Sequence, residues 1–140
     1  MSYKFPVPHR NQEPAVKAGV DTVQVGDEEL GTIQGVSPGS KEEWRVAVAL
    51  SNAGIQFQYQ VSIYGGSSRR GGQTIDFVLY VPFAQPLQVF GEYWHESEMD
   101  EAERFNLARI QQVYKRPAWV LWGEELQTQQ MADAAIRGLF

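Results

Sequence analysis

One carboxylate sits inside an otherwise apolar, strand-forming run, and that run constrains the fold more than any other stretch. Residues 73–81 read Gln-Thr-Ile-Asp-Phe-Val-Leu-Tyr-Val, so Asp76 is flanked by Ile75, Phe77 and Val78. Apolar runs of this length bounded by turn residues belong to strands packed inside a sheet. An ionised group in such surroundings is costly unless it has a partner or a metal. Asp76 is therefore either a site residue or an ion-paired or edge-strand aspartate. Glu92 and His95, one of two histidines, follow within about twenty residues. That density of hard oxygen ligands and titratable groups marks 73–103 as the candidate functional segment.

The flanking sequence supplies the rest of a fold. Upstream, Ser40-Lys-Glu-Glu43 has the capping-box pattern, a serine followed three residues later by glutamate. It predicts a helix over 40–53 with Trp44, Ala47, Val48, Leu50 and Ala53 inward, stopped by Asn52-Ala-Gly54. Residues 56–63 alternate strictly, with Phe57, Tyr59, Val61 and Ile63 on one face. A glycine-rich loop over 64–72 is too long for a tight hairpin, and the strand carrying Asp76 spans 74–81. A turn over 82–86 leads to a third strand over 87–90, then a Gly-Glu-Tyr-Trp-His turn. A helix over 99–114 has Phe105, Leu107, Ile110 and Val113 inward. Pro117 opens a fourth strand over 118–122, and a closing helix runs from 124 onward. The order αβββαβα predicts an α/β (α+β) domain over 40–140, a mixed four-stranded sheet flanked by helices. The first three strands pair antiparallel, and the 87–122 unit is a parallel crossover.

Residues 1–39 differ in character. Pro6, Pro8 and Pro14 exclude helix and central strand from the first stretch, while Val23, Val25 and Ile33 suggest short strands around Gly26-Asp27. This extended N-terminal arm packs on the core, binds a protein partner or another copy, or is poorly ordered. At 140 residues the chain is one domain. Its net charge of −5 argues against coating nucleic acid by bulk electrostatics. Local cations are Arg69 and Arg70 in the glycine loop, and Arg104, Arg109, Lys115 and Arg116 on one helical segment, where a solvated face also explains them. The absence of cysteine excludes disulfides and thiolate metal sites and agrees with a cytoplasmic setting. No apolar run approaches the roughly 18–20 residues of a membrane span, so no membrane partner is expected. P-loop, GxGxxG, HExxH and GxSxG motifs are missing.

The element order, with an acid on the second strand, resembles the PD-(D/E)XK nuclease superfamily and its very-short-patch-repair (Vsr) endonuclease branch. The similarity spans about residues 40–126 and rests on Ser40-Lys-Glu-Glu43-Trp-Arg45, on Ile75-Asp76-Phe77-Val78, on Gly91-Glu92-Tyr93-Trp94-His95, and on Arg109-Ile-Gln-Gln-Val with Trp119-Val-Leu-Trp122-Gly-Glu-Glu-Leu126. It implies a restriction-endonuclease-like core and Mg²⁺-dependent hydrolysis of DNA phosphodiester bonds, in DNA repair, a mobile element or a phage. By the same resemblance Asp76 would ligate Mg²⁺, Glu43 would support it, Asp100 would hold metal-bound water, and His95 would move protons, while Glu92, two residues beyond Phe90, is placed to reach back towards Asp76 in place of the missing Glu-x-Lys acid. In the glycine-rich loop Arg69 and Arg70 suit phosphate contact, with loop solubility as the alternative, and the resemblance would place Trp94 beside the DNA. Mg²⁺ needs only one or two carboxylates beside a phosphate, so such a set suffices chemically.

The pattern departs from the superfamily at its Glu-x-Lys positions, where Gln88 and Phe90 stand. Each assigned residue also has a structural reading. Capping explains Glu43, packing on aromatics explains His95 and Trp94, and a helix start explains the acids from Glu92 to Glu103. The competing function is a catalytically inactive nuclease-fold module, a structural or interaction protein such as a virion or assembly component, with the arm over a neighbouring subunit.

Overall fold

Two sets of apolar side chains, one on each face of a central sheet, decide how the elements stack. The computed structural model describes residues 16–17, 22–66, 71–93 and 95–140. The chain opens with four short strands, β1 (Val16–Lys17), β2 (Val23–Val25), β3 (Glu28–Leu30) and β4 (Thr32–Ile33), paired antiparallel as β1–β4 and β2–β3. Then follow α1 (Lys41–Asn52), β5 (Gln56–Ile63), β6 (Gln73–Tyr80), β7 (Ala84–Phe90), α2 (Glu101–Tyr114), β8 (Trp119–Trp122) and α3 (Gln129–Arg137). The sheet order is β5-β6-β7-β8, antiparallel except for the parallel β7–β8 pair. This mixed sheet with three helices matches the order and pairing expected for 40–140.

Val46, Ala47, Ala49 and Leu50 of α1, with Ala132 and Ile136 of α3, cover one face over Phe57, Phe77, Leu79, Leu87 and Leu121. Ile110 of α2, helped by Leu107 and Tyr114, covers the other face over Ile63, Ile75, Val78 and Ala84. Among the described residues no helix is long and apolar enough to cross a membrane.

Each helix starts at a side-chain cap. Ser40 Oγ accepts the Glu43 N–H at 3.1 Å, Asp100 Oδ1 the Glu103 N–H at 2.8 Å, and Thr128 Oγ1 the Met131 N–H at 3.1 Å. The last of these shortens the predicted closing helix. The chain first makes a 3₁₀ turn at Gly123–Glu125 and buries Leu126, and only then does Thr128 start α3. The predicted 82–86 turn is also tighter, because β7 already pairs at Ala84. Pro86 is tolerated there because β8 joins β7 only from Leu87 onward. On α2, Phe105 and Val113 are 63% and 40% exposed, against the expected inward stripe. The sheet offers this helix only a narrow apolar strip, which Leu107, Ile110 and Tyr114 fill.

The described part of the N-terminal segment packs on the core. Ile33 is fully buried within the α1-side cluster. The Gln34 side chain donates to the Phe57 carbonyl at 2.7 Å and accepts the Tyr59 N–H at 3.0 Å, along the outer edge of β5.

Candidate functional site

The regular sheet is interrupted at Asp76, on both sides at once. Towards β5, Tyr59 pairs with Phe77 and Val61 with Ile75, while the intervening Gln60 has a left-handed φ of 56°. Towards β7, ladder pairing reaches Phe77–Leu87, and beyond it side chains take over. The Asp76 N–H donates to Gln88 Oε1 at 2.7 Å, and the Val89 N–H donates to Asp76 Oδ2 at 2.8 Å. The interruption exchanges the faces of the sheet. Tyr59 and Phe77 belong to the α1-side core, whereas Ile63 and Ile75, further along the same alternation, belong to the α2-side core. Continued alternation from Val78 would have put Asp76 under α2. The exchange brings it to the side of Tyr59 and α1, where Glu43 waits.

Glu43 lies in the first turn of α1, and its carboxylate is turned towards the sheet. Tyr59, buried on β5, donates its hydroxyl to Glu43 Oε1 at 2.5 Å and accepts the Gly39 N–H at 2.9 Å. Ser40 Oγ approaches Oε2 at 3.4 Å. A Cβ on Gly39 would come within 3.0 Å of the same carboxylate, so the absence of a side chain there makes its room. Capping thus uses the Glu43 backbone, while its side chain, held by Tyr59 and Ser40, lies near enough to Asp76 to act on it.

The two acids act on each other. Burial first, and the Glu43 charge second, raise the Asp76 pKa to about 7, against the Val89 N–H, with a smaller push from Glu103. Burial also raises Glu43, opposed by the hydrogen bonds from Tyr59 and Ser40. Burial first, then the hydrogen bond to Glu43 and the negative charge of Glu43, push the Tyr59 pKa upward, so its hydroxyl remains a donor. Among the described residues no lysine or arginine is bonded to either carboxylate. Near neutral pH the pair titrates together and tends to keep a proton.

The other predicted residues fall around this pair unevenly. Glu92 is exposed and acts on Glu103, which in turn acts on Asp76. Asp100 is the α2 cap, its carboxylate also bonded by Tyr93. His95 is directed to Glu98, with Nε2 at 3.1 Å from Oε1, and to Ser97, 2.7 Å from Nδ1, with its side chain 59% exposed. The structure therefore assembles Asp76 with Glu43, sets Glu92 at the margin, and gives His95 partners of its own in the turn. Arg69, Arg70 and Trp94 lie outside the described residues.

Close backbone contacts fix this end of the sheet. A Cβ on Gly91 would meet the Glu42 side chain at 2.9 Å, and one on Gly123 would lie 2.3 Å from the Gly91 carbonyl. The Gly123 N–H donates to the Tyr93 carbonyl at 2.9 Å. Two features of this site carry no motif in the sequence, the Tyr59 hydroxyl and the bonding role of Gln88. A tyrosine among Phe57, Val61 and Ile63 on a buried face was the available signal, since a buried hydroxyl needs a partner.

No known protein family, curated protein or solved structure matches the chain. Among the described residues no group of three or more histidine, cysteine, aspartate or glutamate side chains forms a closed metal cage. Two carboxylates nevertheless fit Mg²⁺ or Mn²⁺, hard ions that keep several waters and need few protein ligands. Asp76 Oδ2 is taken by Val89, and Oδ1 bonds nothing among the described residues.

Proposed function

We propose that this domain is a divalent-cation-dependent DNA endonuclease with a restriction-endonuclease-like core. The observation that carries the reading is the half-buried Asp76–Glu43 pair, set where the sheet opens and without a bonded lysine or arginine among the described residues. Two half-buried acids that act on each other are mutually destabilising when ionised, and a divalent cation offsets that penalty. When bound, Mg²⁺ supplies positive charge against the phosphate and lowers the pKa of water. In this proposal Asp76 Oδ1 and Glu43 hold the ion. The Val89 N–H fixes the Asp76 carboxylate, and Glu92 and Glu103 add negative potential at the margin. Proton transfer does not rest on His95, whose ring is engaged by Glu98 and Ser97. DNA selection is assigned to the 64–73 loop with Arg69 and Arg70.

Plasmid nicking with Mg²⁺ or Mn²⁺ tests the reading. Wild type should convert supercoiled to nicked DNA, and Asp76→Ala should lose at least roughly 100-fold of that rate, the usual loss for a central electrostatic group. Wild-type protein that leaves the plasmid intact with either metal overturns it.

A second reading, the inactive interaction module, is favoured by the two departures from the Glu-x-Lys pattern. The Gln88 amide oxygen is engaged by the Asp76 N–H. Phe90 packs between the rings of Tyr93 and Trp122, at centroid distances of 5.7 and 5.5 Å. This reading predicts no cleavage together with self-assembly in sedimentation.

A further inference from the structure

We infer that Tyr59 is the positioning residue of this site, fixing the Glu43 carboxylate so that it and Asp76 receive one divalent cation. The inference rests on the reading of the Asp76–Glu43 pair as a cation site. A tyrosine hydroxyl has a single proton to give. Because the Gly39 N–H already donates to Tyr59 Oη at 2.9 Å, that proton goes to Glu43 Oε1, 2.5 Å away. Donor and acceptor are thus both assigned, and the hydroxyl cannot rotate without breaking one bond or the other. The ring is locked as well, tilted against Phe77 with centroids 5.1 Å apart. With Ser40 Oγ near Oε2 at 3.4 Å, two of the roughly four lone-pair sites of the carboxylate are occupied. The remaining ones are available to a cation.

Ordinary core packing does not call for this arrangement. A phenylalanine would fill the same space beside Phe57 and Phe77 without bringing a hydroxyl to a half-buried carboxylate. Nor does helix capping call for it, since Ser40 meets the Glu43 N–H.

The test is Mn²⁺ titration of the full chain by calorimetry, well below the unfolding temperature, on wild type, Asp76→Ala, Glu43→Gln, Tyr59→Phe and Gly39→Ala. Tyr59→Phe should weaken Mn²⁺ binding roughly 10-fold, the loss seen when a ligand-orienting partner is removed. It should lower kcat in the nicking assay more than it raises KM. Gly39→Ala leaves the hydroxyl in place but adds a methyl that crowds the Glu43 carboxylate, and should weaken Mn²⁺ similarly. It gives a second measurement on an exposed residue should Tyr59→Phe fold poorly. If Asp76→Ala and Glu43→Gln abolish binding while Tyr59→Phe and Gly39→Ala match wild type, the positioning role is overturned and the cation site stands. If wild type binds no Mn²⁺, or Asp76→Ala binds it as well as wild type, the cation site fails and the positioning role fails with it.

Discussion

Burial and the neighbouring Glu43 raise Asp76 to about 7, whereas an unfolded aspartate titrates near 4. Between those values the folded chain keeps a proton that the unfolded chain has released. The stability associated with this group is fully present below about pH 4 and is lost as pH rises through about 7. Each unit of separation is about 1.4 kcal/mol, so the loss is on the order of a few kcal/mol. Glu43 and Glu103, also raised, act in the same direction. Without divalent cations, urea midpoints should therefore fall from pH 4.5 to pH 7.5. Asp76→Asn, neutral at both, should flatten that slope and exceed wild type at the higher pH. An unchanged slope in the variant would show that Asp76 is solvated and ordinary.

Among elements, the end of the sheet beside α1 tolerates little change. Gly123 follows β8 and lies so close to the Gly91 carbonyl that a Cβ would stand 2.3 Å from a backbone oxygen. Backbone cannot yield as a side-chain tip does, so Gly123→Ala should cost about 1–3 kcal/mol, measured as a lower denaturant midpoint at an unchanged m-value. The sequence made much of this level legible. Ser40 starts α1, the run 56–63 is β5, and the αβββαβα order and the parallel β7–β8 pair are present. The single face expected for Phe57, Tyr59, Val61 and Ile63 is instead split at Gln60, with Phe57 and Tyr59 towards α1 and Val61 and Ile63 towards α2. What escaped prediction depends on tertiary partners. A left-handed Gln60 has no local signature, yet with the opening at Gln88 it exchanges the faces of β6 and brings Asp76 to Glu43. The α2 stripe was misjudged at Phe105 because periodicity ranks apolar residues without knowing how wide a face the sheet offers. Phe105 instead lies with Tyr64 around the Arg109 guanidinium, at 5.7 and 4.4 Å from its carbon. Glu43 was ambiguous for a related reason, since its backbone does the capping and its side chain answers to Tyr59.

On the scale of the whole molecule, the segment before α1 closes the sheet. β5 is an outer strand, and outer strands expose unpaired backbone groups that recruit other chains. Here Ile33 is buried beneath α1, and beside it the Gln34 amide bonds the Phe57 carbonyl and the Tyr59 N–H, standing in for a neighbouring strand. The two residues should therefore fail differently. Ile33→Ala removes fully buried volume and should cost about 2–5 kcal/mol, with the fold otherwise preserved. Gln34→Ala removes only two bonds from a partly exposed place and should cost about 1–2 kcal/mol, but it uncovers the β5 edge. Sedimentation velocity should then show concentration-dependent association of Gln34→Ala under conditions where Ile33→Ala, still folded, stays monomeric. The bond to the Tyr59 N–H extends the effect inward, because it holds the backbone of the residue whose hydroxyl sets Glu43. If Gln34→Ala remains monomeric at every concentration, the edge is protected by something other than this amide, and the segment contributes through Ile33 alone.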